Sequence, residues 1–273
     1  GRAIALGFAR AGADGIAITS ARSPDETRAV AAEIDAIAGR PCGLALQADV
    51  GDPDACARAV ADTVDRFGGL NILINNAGKG MKGVRGPRHC PFWENDDSGW
   101  LDVISTNVNG PYLMTKPAAP HLIAAGNGRV INVSKTLDSM LQAKNAPYGP
   151  SKAALEAMTL IMAQDFEGTG VTVNSLAPGG LVNTTFSPDG VVARRKEQGG
   201  HVVEPDAIVP PAAWLCTDAG GRYTGCRFNA VLWDASLPGD EAAESARELP
   251  IFRPPRRTGI TEAWAPPGQP ATT

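Results

Sequence analysis

Short apolar, β-branched runs alternate with amphipathic helical runs along most of this chain, and that alternation leaves few folds open. Ile16-Ala17-Ile18-Thr19 reads as a strand ending at Ser20-Ala21-Arg22, and the segment from Asp25 to Ala38 puts Val30, Ile34 and Ile37 on one helical face. Leu44 to Ala48 is the next strand, Asp54 to Phe67 the next helix, and Leu70 to Ile74 a mostly apolar strand of the kind buried on both sides. A long helix is predicted from Trp100 to Ala125, broken near Pro117 and Pro120, because proline removes a helical hydrogen bond and crowds the preceding turn. Strand Arg129 to Val133, helix Tyr148 to Phe166, strand Val171 to Leu176 and a last strand, Phe228 to Leu232, complete the pattern. The prediction is an α/β fold with a doubly wound parallel sheet, in a single domain over residues 1–234. Beyond Asp234, seven prolines interrupt a polar segment, so residues 235–273 read as a largely irregular tail with at most one short helix, Asp240 to Glu248.

Composition narrows the function. With 43% hydrophobic residues in 273 the chain can fill one core, and a net charge of -4 without a basic block points away from nucleic acid and anionic membrane surfaces. No apolar run approaches the ~20 residues of a membrane span. A small-molecule substrate is therefore expected. Cys42, Cys56, Cys90, Cys216 and Cys226 are an odd set at irregular spacings, which reads as reduced thiols in a cytoplasmic protein. His89, His121 and His201 lie far apart and beside no acidic or cysteine cluster, so no metal site is predicted.

The chemistry concentrates at Tyr148-Gly149-Pro150-Ser151-Lys152, where a phenol and an ammonium four residues apart share one helical face. A free tyrosine titrates near ~10, and a neighbouring cation favours its phenolate, so the pair can do acid-base work on an alcohol or carbonyl. Three strand ends supply small or hydrogen-bonding residues at one edge of the sheet: Asp49-Val50, Asn75-Asn76-Ala77-Gly78 and Pro178-Gly179-Gly180. Open parallel sheets bind ligands at such carboxyl ends.

In this order, Asn75-Asn76-Ala77-Gly78, Asn107 within Thr106-Asn107-Val108-Asn109-Gly110, Tyr148-x-x-x-Lys152, and Pro178-Gly179 followed by Thr184 resemble the short-chain dehydrogenase/reductase family over roughly Gly1 to Asp234. The resemblance implies a Rossmann-type fold, a nicotinamide cofactor, and hydride transfer between it and a carbonyl or alcohol carbon. It implies Tyr148 as the general acid-base, Lys152 as the group that shifts the tyrosine and holds the nicotinamide ribose, and Asn107 as the holder of a water beside Lys152. Asp49 and Val50 are expected against adenine, Asn76, Ala77 and Gly78 along the adenosine and ribose channel, and Pro178, Gly179, Gly180 and Thr184 towards the carboxamide. A homodimer or homotetramer is likewise implied. NADP is favoured over NAD, because Ser20, Ala21 and Arg22 offer a guanidinium and no carboxylate to the adenosine ribose.

Two departures matter. The family's catalytic serine stands thirteen residues before the tyrosine, where this chain has Lys135, flanked by Ser134 and Thr136. Either Ser134 or Thr136 could supply the hydroxyl, of which Ser134 is taken, and a lysine at the expected position keeps open a non-catalytic binding or scaffold protein on the same fold. The second departure is at the start, where Gly1 to Gly12 has helical apolar spacing and no methionine. Gly1 resembles the last glycine of the family's phosphate-binding turn, so the expectation is an N-terminally truncated chain missing its first strand and glycine-rich turn. Phe92, Trp93, Leu137, Met140 and Phe186 are candidate pocket walls.

Overall fold

The computed structural model describes residues 1–84, 90–187 and 190–252. Helix α1 (Arg2–Arg10) leads into β1 (Ile16–Ser20), which runs parallel to β2 (Gly43–Gln47) with α2 (Pro24–Ala38) between them. Local chemistry sets these boundaries. Pro24 stands in the first turn of α2 with Asp25 and Glu26, and Gly39 ends the helix at φ 68°, a conformation glycine adopts without a Cβ clash. Helix α3 (Pro53–Phe67) repeats the device: the Asp52 carboxylate accepts the Asp54 N–H at 2.9 Å.

The main sheet follows. Strands β3 (Ile72–Asn75), β4 (Arg129–Val133), β5 (Thr172–Ala177) and β6 (Arg227–Asn229) are parallel in that order, and β7 (Arg247–Glu248) closes the edge antiparallel to β6. All residues of β4 and β5 are buried, as an apolar run covered on both faces requires. On one side Val60, Met114, Ala118, Leu122, Val130 and Val173 form a core, and on the other Ile4, Ile131, Leu176, Leu215 and Phe228 form a second. The result is a Rossmann-type, doubly wound α/β arrangement with helices on both faces.

The expectation of a sheet missing its first strand is corrected. Helix α1 is formed over nine residues, and the first strand, β1, is present and fully paired with β2. The physical reason is local burial: Ala5, Leu6 and Ala9 of α1, Ile34 of α2 and Cys42 make a core cluster against which Ile16 and Ile18 pack. That cluster stabilises β1 through its own helices. Among the described residues the strands accordingly fall into a two-stranded sheet, β1–β2, and the five-stranded sheet, in place of the single sheet expected.

The predicted helix break also moves. Helix α4 (Asp97–Ile104) passes through a π-helical turn at Ser105–Asn109 into α5 (Gly110–Ala125), which continues through Pro117 and Pro120. Each interior proline costs about 3 kcal/mol, and the burial of Met114, Ala118 and Leu122 in the core offsets it. Helices α6 (Leu137–Met140), α7 (Tyr148–Asp165), α8 (Val191–Glu197) and α9 (Val209–Leu215) follow. The last predicted strand is shorter than expected, giving way to a 3-10 turn at Ala230–Leu232. Within the predicted tail, α10 (Gly239–Ala246) packs Ala242, Ala243 and Ala246 inward and hands the chain to β7, while residues 253–273 lie outside the described residues.

Candidate active site

Helix α7 begins at Tyr148, and Lys152 follows one turn later on the buried side, 4% exposed. Its ammonium donates to the Val133 carbonyl at the end of β4, 2.8 Å away. Burial lowers the Lys152 pKa to about 8; the positive charge of Lys135 adds to this, while the Glu156 carboxylate opposes it. Tyr148 is half-buried, and loss of hydration pushes its phenol up to about 12. In the protein alone, burial therefore outweighs the phenolate-favouring effect expected of the lysine.

The residue at the serine's expected position faces this phenol. Lys135 carries its ammonium 4.8 Å from the centroid of the Tyr148 ring, a cation–π geometry, and Phe186 lies against the same ring at 5.7 Å. Ser134 is buried at 4% exposure, and its hydroxyl finds no hydrogen-bond partner among the described residues. Phe92 and Trp93 instead pack edge-to-face on each other, 5.2 Å apart, and stay exposed.

Asn107 sits in the π turn, fully buried. Its Oδ1 accepts the Lys79 N–H (2.7 Å), and its Nδ2 donates to the Lys79 carbonyl (2.9 Å) and to Ser151 Oγ (3.0 Å). The widened turn thus ties the loop after β3 to the first turn of α7, a use typical of π turns at functional sites. Gly78 completes the junction: a Cβ there would lie 3.4 Å from Asn107 Oδ1 and 3.8 Å from Lys152 Nζ. A Cβ there would make only ordinary contacts, so the turn's backbone lies beside the lysine without a steric need for glycine.

The other strand ends border the same edge. Asp49 is exposed and caps its own turn, accepting the Gly51 N–H at 2.9 Å, whereas the α3 helix cap is Asp52. Val50 packs on Gly110, and together with Thr19, Ile74, Asn76 and Ala77 they line a narrow cleft. Gly1, heading α1, abuts Asn76, whose Nδ2 would lie 3.0 Å from a Cβ on the glycine. Arg22 is exposed beyond β1. After β5, Gly179 takes φ 100° against Asn229, and Thr184 is exposed in the following loop, its N–H donating to the Val182 carbonyl at 2.9 Å. The cleft, the bare Gly78 turn and the orphaned Ser134 hydroxyl suit an elongated polar ligand lying along this edge.

Sequence reasoning singled out Asn75 but missed the buried hydrogen bonds it makes behind the site. Asn75 donates to Thr115 Oγ1 (3.2 Å) and Asn132 Oδ1 (2.9 Å), and Asn132 donates to Thr159 (2.9 Å), linking β3, β4, α5 and α7 inside the core. Their only signal was an asparagine within each apolar strand. Glu156 and Arg227, also missed, form a buried ion pair.

The short chain dehydrogenase family pattern matches residues 1–190. An NADPH-dependent aldehyde reductase 2, chloroplastic, of Arabidopsis thaliana is 31% identical over 240 residues, covering 82% of this chain and 86% of that one. An uncharacterized NAD-dependent oxidoreductase of Mycobacterium tuberculosis is 30% identical over 254 residues, covering 82% and 88%. The match spans 65% of the length of a short-chain type dehydrogenase/reductase of Picea abies. Among solved structures, a short chain dehydrogenase from Burkholderia cenocepacia in complex with NADP is 30% identical, with a TM-score of 0.71 over 83% of this chain and 89% of that one.

Proposed function

This chain belongs to the short chain dehydrogenase family of oxidoreductases, and on that premise we propose that it moves a hydride between NADP(H) and a carbonyl or alcohol carbon, with Tyr148 as general acid-base. The observation that carries the reading is the convergence of Tyr148, Lys152, Asn107 and the bare Gly78 turn at the carboxyl edge of the sheet. A bound nicotinamide cofactor supplies the hydride in reduction or accepts it in oxidation. Asp49, Val50, Asn76, Ala77 and Gly78 are the proposed adenosine and ribose contacts, with Gly1 beside them at the head of α1. Pro178, Gly179, Gly180 and Thr184 are the proposed wall on the nicotinamide side.

In reduction, the Tyr148 hydroxyl gives its proton to the carbonyl oxygen as negative charge develops there, and in oxidation the phenolate takes the alcohol proton. Lys152 favours the phenolate form by its charge and offers donors to a ribose hydroxyl. Asn107 anchors the helix start through Ser151, fixing the phenol in register with the Gly78 turn. Ser134 is the proposed hydroxyl that orients the substrate oxygen, supported by its unused, buried Oγ. NADP is proposed over NAD from the exposed Arg22 and the absence of a carboxylate at Ser20 to Arg22. Exposed Leu101, Tyr112 and Ile161 on α4, α5 and α7 support a homodimer or homotetramer built through those helices. Among the described residues no helix is long and apolar enough to cross a membrane.

A second reading, a cofactor-binding protein without turnover, draws on the Lys135 ammonium against the phenol. One experiment separates the two. Assayed with NADPH against a panel of aldehydes, ketones and alcohols, the protein is expected to turn over at least one class, and Tyr148→Phe to lower that rate by ~100-fold or more. NADPH affinity should change little. Tight NADPH binding with no turnover on any class favours the second reading.

A further inference from the structure

Arg227 is more deeply buried than any other charged side chain among the described residues, 1% exposed, and it lies on the three-residue strand β6. Its Nη1 donates to the Glu156 carboxylate, its Nε to Glu248 Oε2 (2.8 Å) and its Nη2 to the Lys135 carbonyl (2.5 Å). Ser175 Oγ completes Glu156 at 2.7 Å, and Asn229 Nδ2 completes Glu248 at 2.9 Å. One guanidinium thus joins the loop after β4, helix α7 and the edge strand β7. A buried ion pair of this kind gives little net stability over an apolar core, because desolvating its charges costs about what their attraction returns.

What the network does reach is the proposed catalytic centre. Glu156 stands one helical turn beyond Lys152 on α7, and Lys135 holds its ammonium over the Tyr148 ring. We propose that Arg227 is a positioning residue for the reaction, clamping the Lys135 backbone on one side and the Glu156 carboxylate beside Lys152 on the other, with Glu248 of the C-terminal strand completing the clamp. The inference rests on the oxidoreductase reading above for its catalytic half only. Its electrostatic half concerns this chain's own charges. Those around Lys152 are Glu156 and the Tyr148 phenol from its own helix and Lys135 from the loop after β4, with Arg227 of β6 and Glu248 of β7 behind Glu156. The π turn contributes the neutral Asn107, and the loop after β3 carries Lys79, whose ammonium is paired with Asp102 of α4. Because the Glu156 anion raises the lysine, removing it lowers the pH at which Lys152 loses its proton, and the lysine-dependent part of turnover then fails at lower pH.

The test is carbon-13 NMR of protein labelled at the lysine ε-carbons, with the Lys152 signal assigned by its loss in Lys152→Arg. In Glu156→Gln the Lys152 midpoint is expected about one pH unit lower, a tenfold weaker proton affinity. Glu248→Gln, a partly exposed and more tolerant position, should move it the same way by less. Arg227→Lys keeps the charge but not the three-way fork, so it should leave the midpoint near wild type, lower kcat about tenfold on the best substrate and leave NADPH affinity unchanged. An unmoved midpoint in the folded Glu156→Gln and Glu248→Gln proteins, or full turnover in Arg227→Lys, overturns the proposal. A wild-type protein without turnover whose midpoint still falls in Glu156→Gln refutes the oxidoreductase reading and leaves the electrostatic assignment standing.

Discussion

Arg22 stands exposed just past β1, after Ser20 and Ala21, and none of the three offers a carboxylate to a ribose 2′-hydroxyl. A guanidinium at such a strand end can pair with a 2′-phosphate through two parallel hydrogen bonds. The protein is therefore expected to bind NADPH more tightly than NADH, and Arg22→Asp to erode or reverse that preference. One charge-assisted contact is worth ~1.5 to 3 kcal/mol, roughly ten- to a hundredfold in the affinity ratio. Fluorescence titration with both cofactors checks this, and a wild-type preference for NADH would count against it. At this scale the sequence exposed the residues whose relation is short: Tyr148 and Lys152 are one helical turn apart, and their spacing alone puts them together. Spacing reports neighbours but not desolvation, and in the protein alone burial pushes the tyrosine up to about 12 against the pull of the lysine. Arg227 and Glu156 were invisible for the opposite reason, since 71 residues separate them and nothing local marks either as paired.

Strand and helix positions were legible because apolar periodicity is local, and caps such as Asp52 and Gly39 set the ends. The break in the α4–α5 run was not. Pro117 and Pro120 announce a kink, yet burial carries the helix through them and the ladder widens instead at Ser105–Asn109, where no proline occurs. The reason lies in tertiary contacts: Asn107 exchanges two hydrogen bonds with Lys79, 28 residues earlier, and a third joins it to Ser151. Asn107→Ala removes the side-chain partner of both the Lys79 N–H and the Lys79 carbonyl in a buried junction. We expect a loss of ~1 to 3 kcal/mol, seen as a lower urea midpoint with an unchanged slope. A midpoint equal to wild type would show that this junction does not depend on Asn107.

Across the whole molecule, the alternation of strands and helices led to the correct α/β class, whereas the arrangement of strands into sheets did not follow from it. The expectation of a sheet missing its first strand came from laying a family template over the N-terminal residues; the first strand of the described chain, Ile16 to Ser20, is formed and is held by α1 and α2. At the other end, a polar segment expected to hold at most one short helix, Asp240 to Glu248, supplies α10 and, beyond that expectation, β7, whose Glu248 reaches the buried guanidinium behind the site. Pairing of this kind depends on contacts distant in sequence, which periodicity does not encode. The site itself is nevertheless built at the carboxyl edge where a doubly wound sheet binds ligands, with Gly78, Asn107 and Lys152 in mutual reach. The most direct test of the central claim follows the transferred hydrogen. NADPH carrying deuterium at both hydrogen positions of the reactive carbon of its nicotinamide is incubated with the protein and the carbonyl compound it turns over best, and the alcohol is examined by mass spectrometry. The account predicts one deuterium on the carbinol carbon of each product molecule, formed by the wild type and nearly abolished in Tyr148→Phe; alcohol without label, or labelled alcohol formed equally fast by Tyr148→Phe, would contradict it.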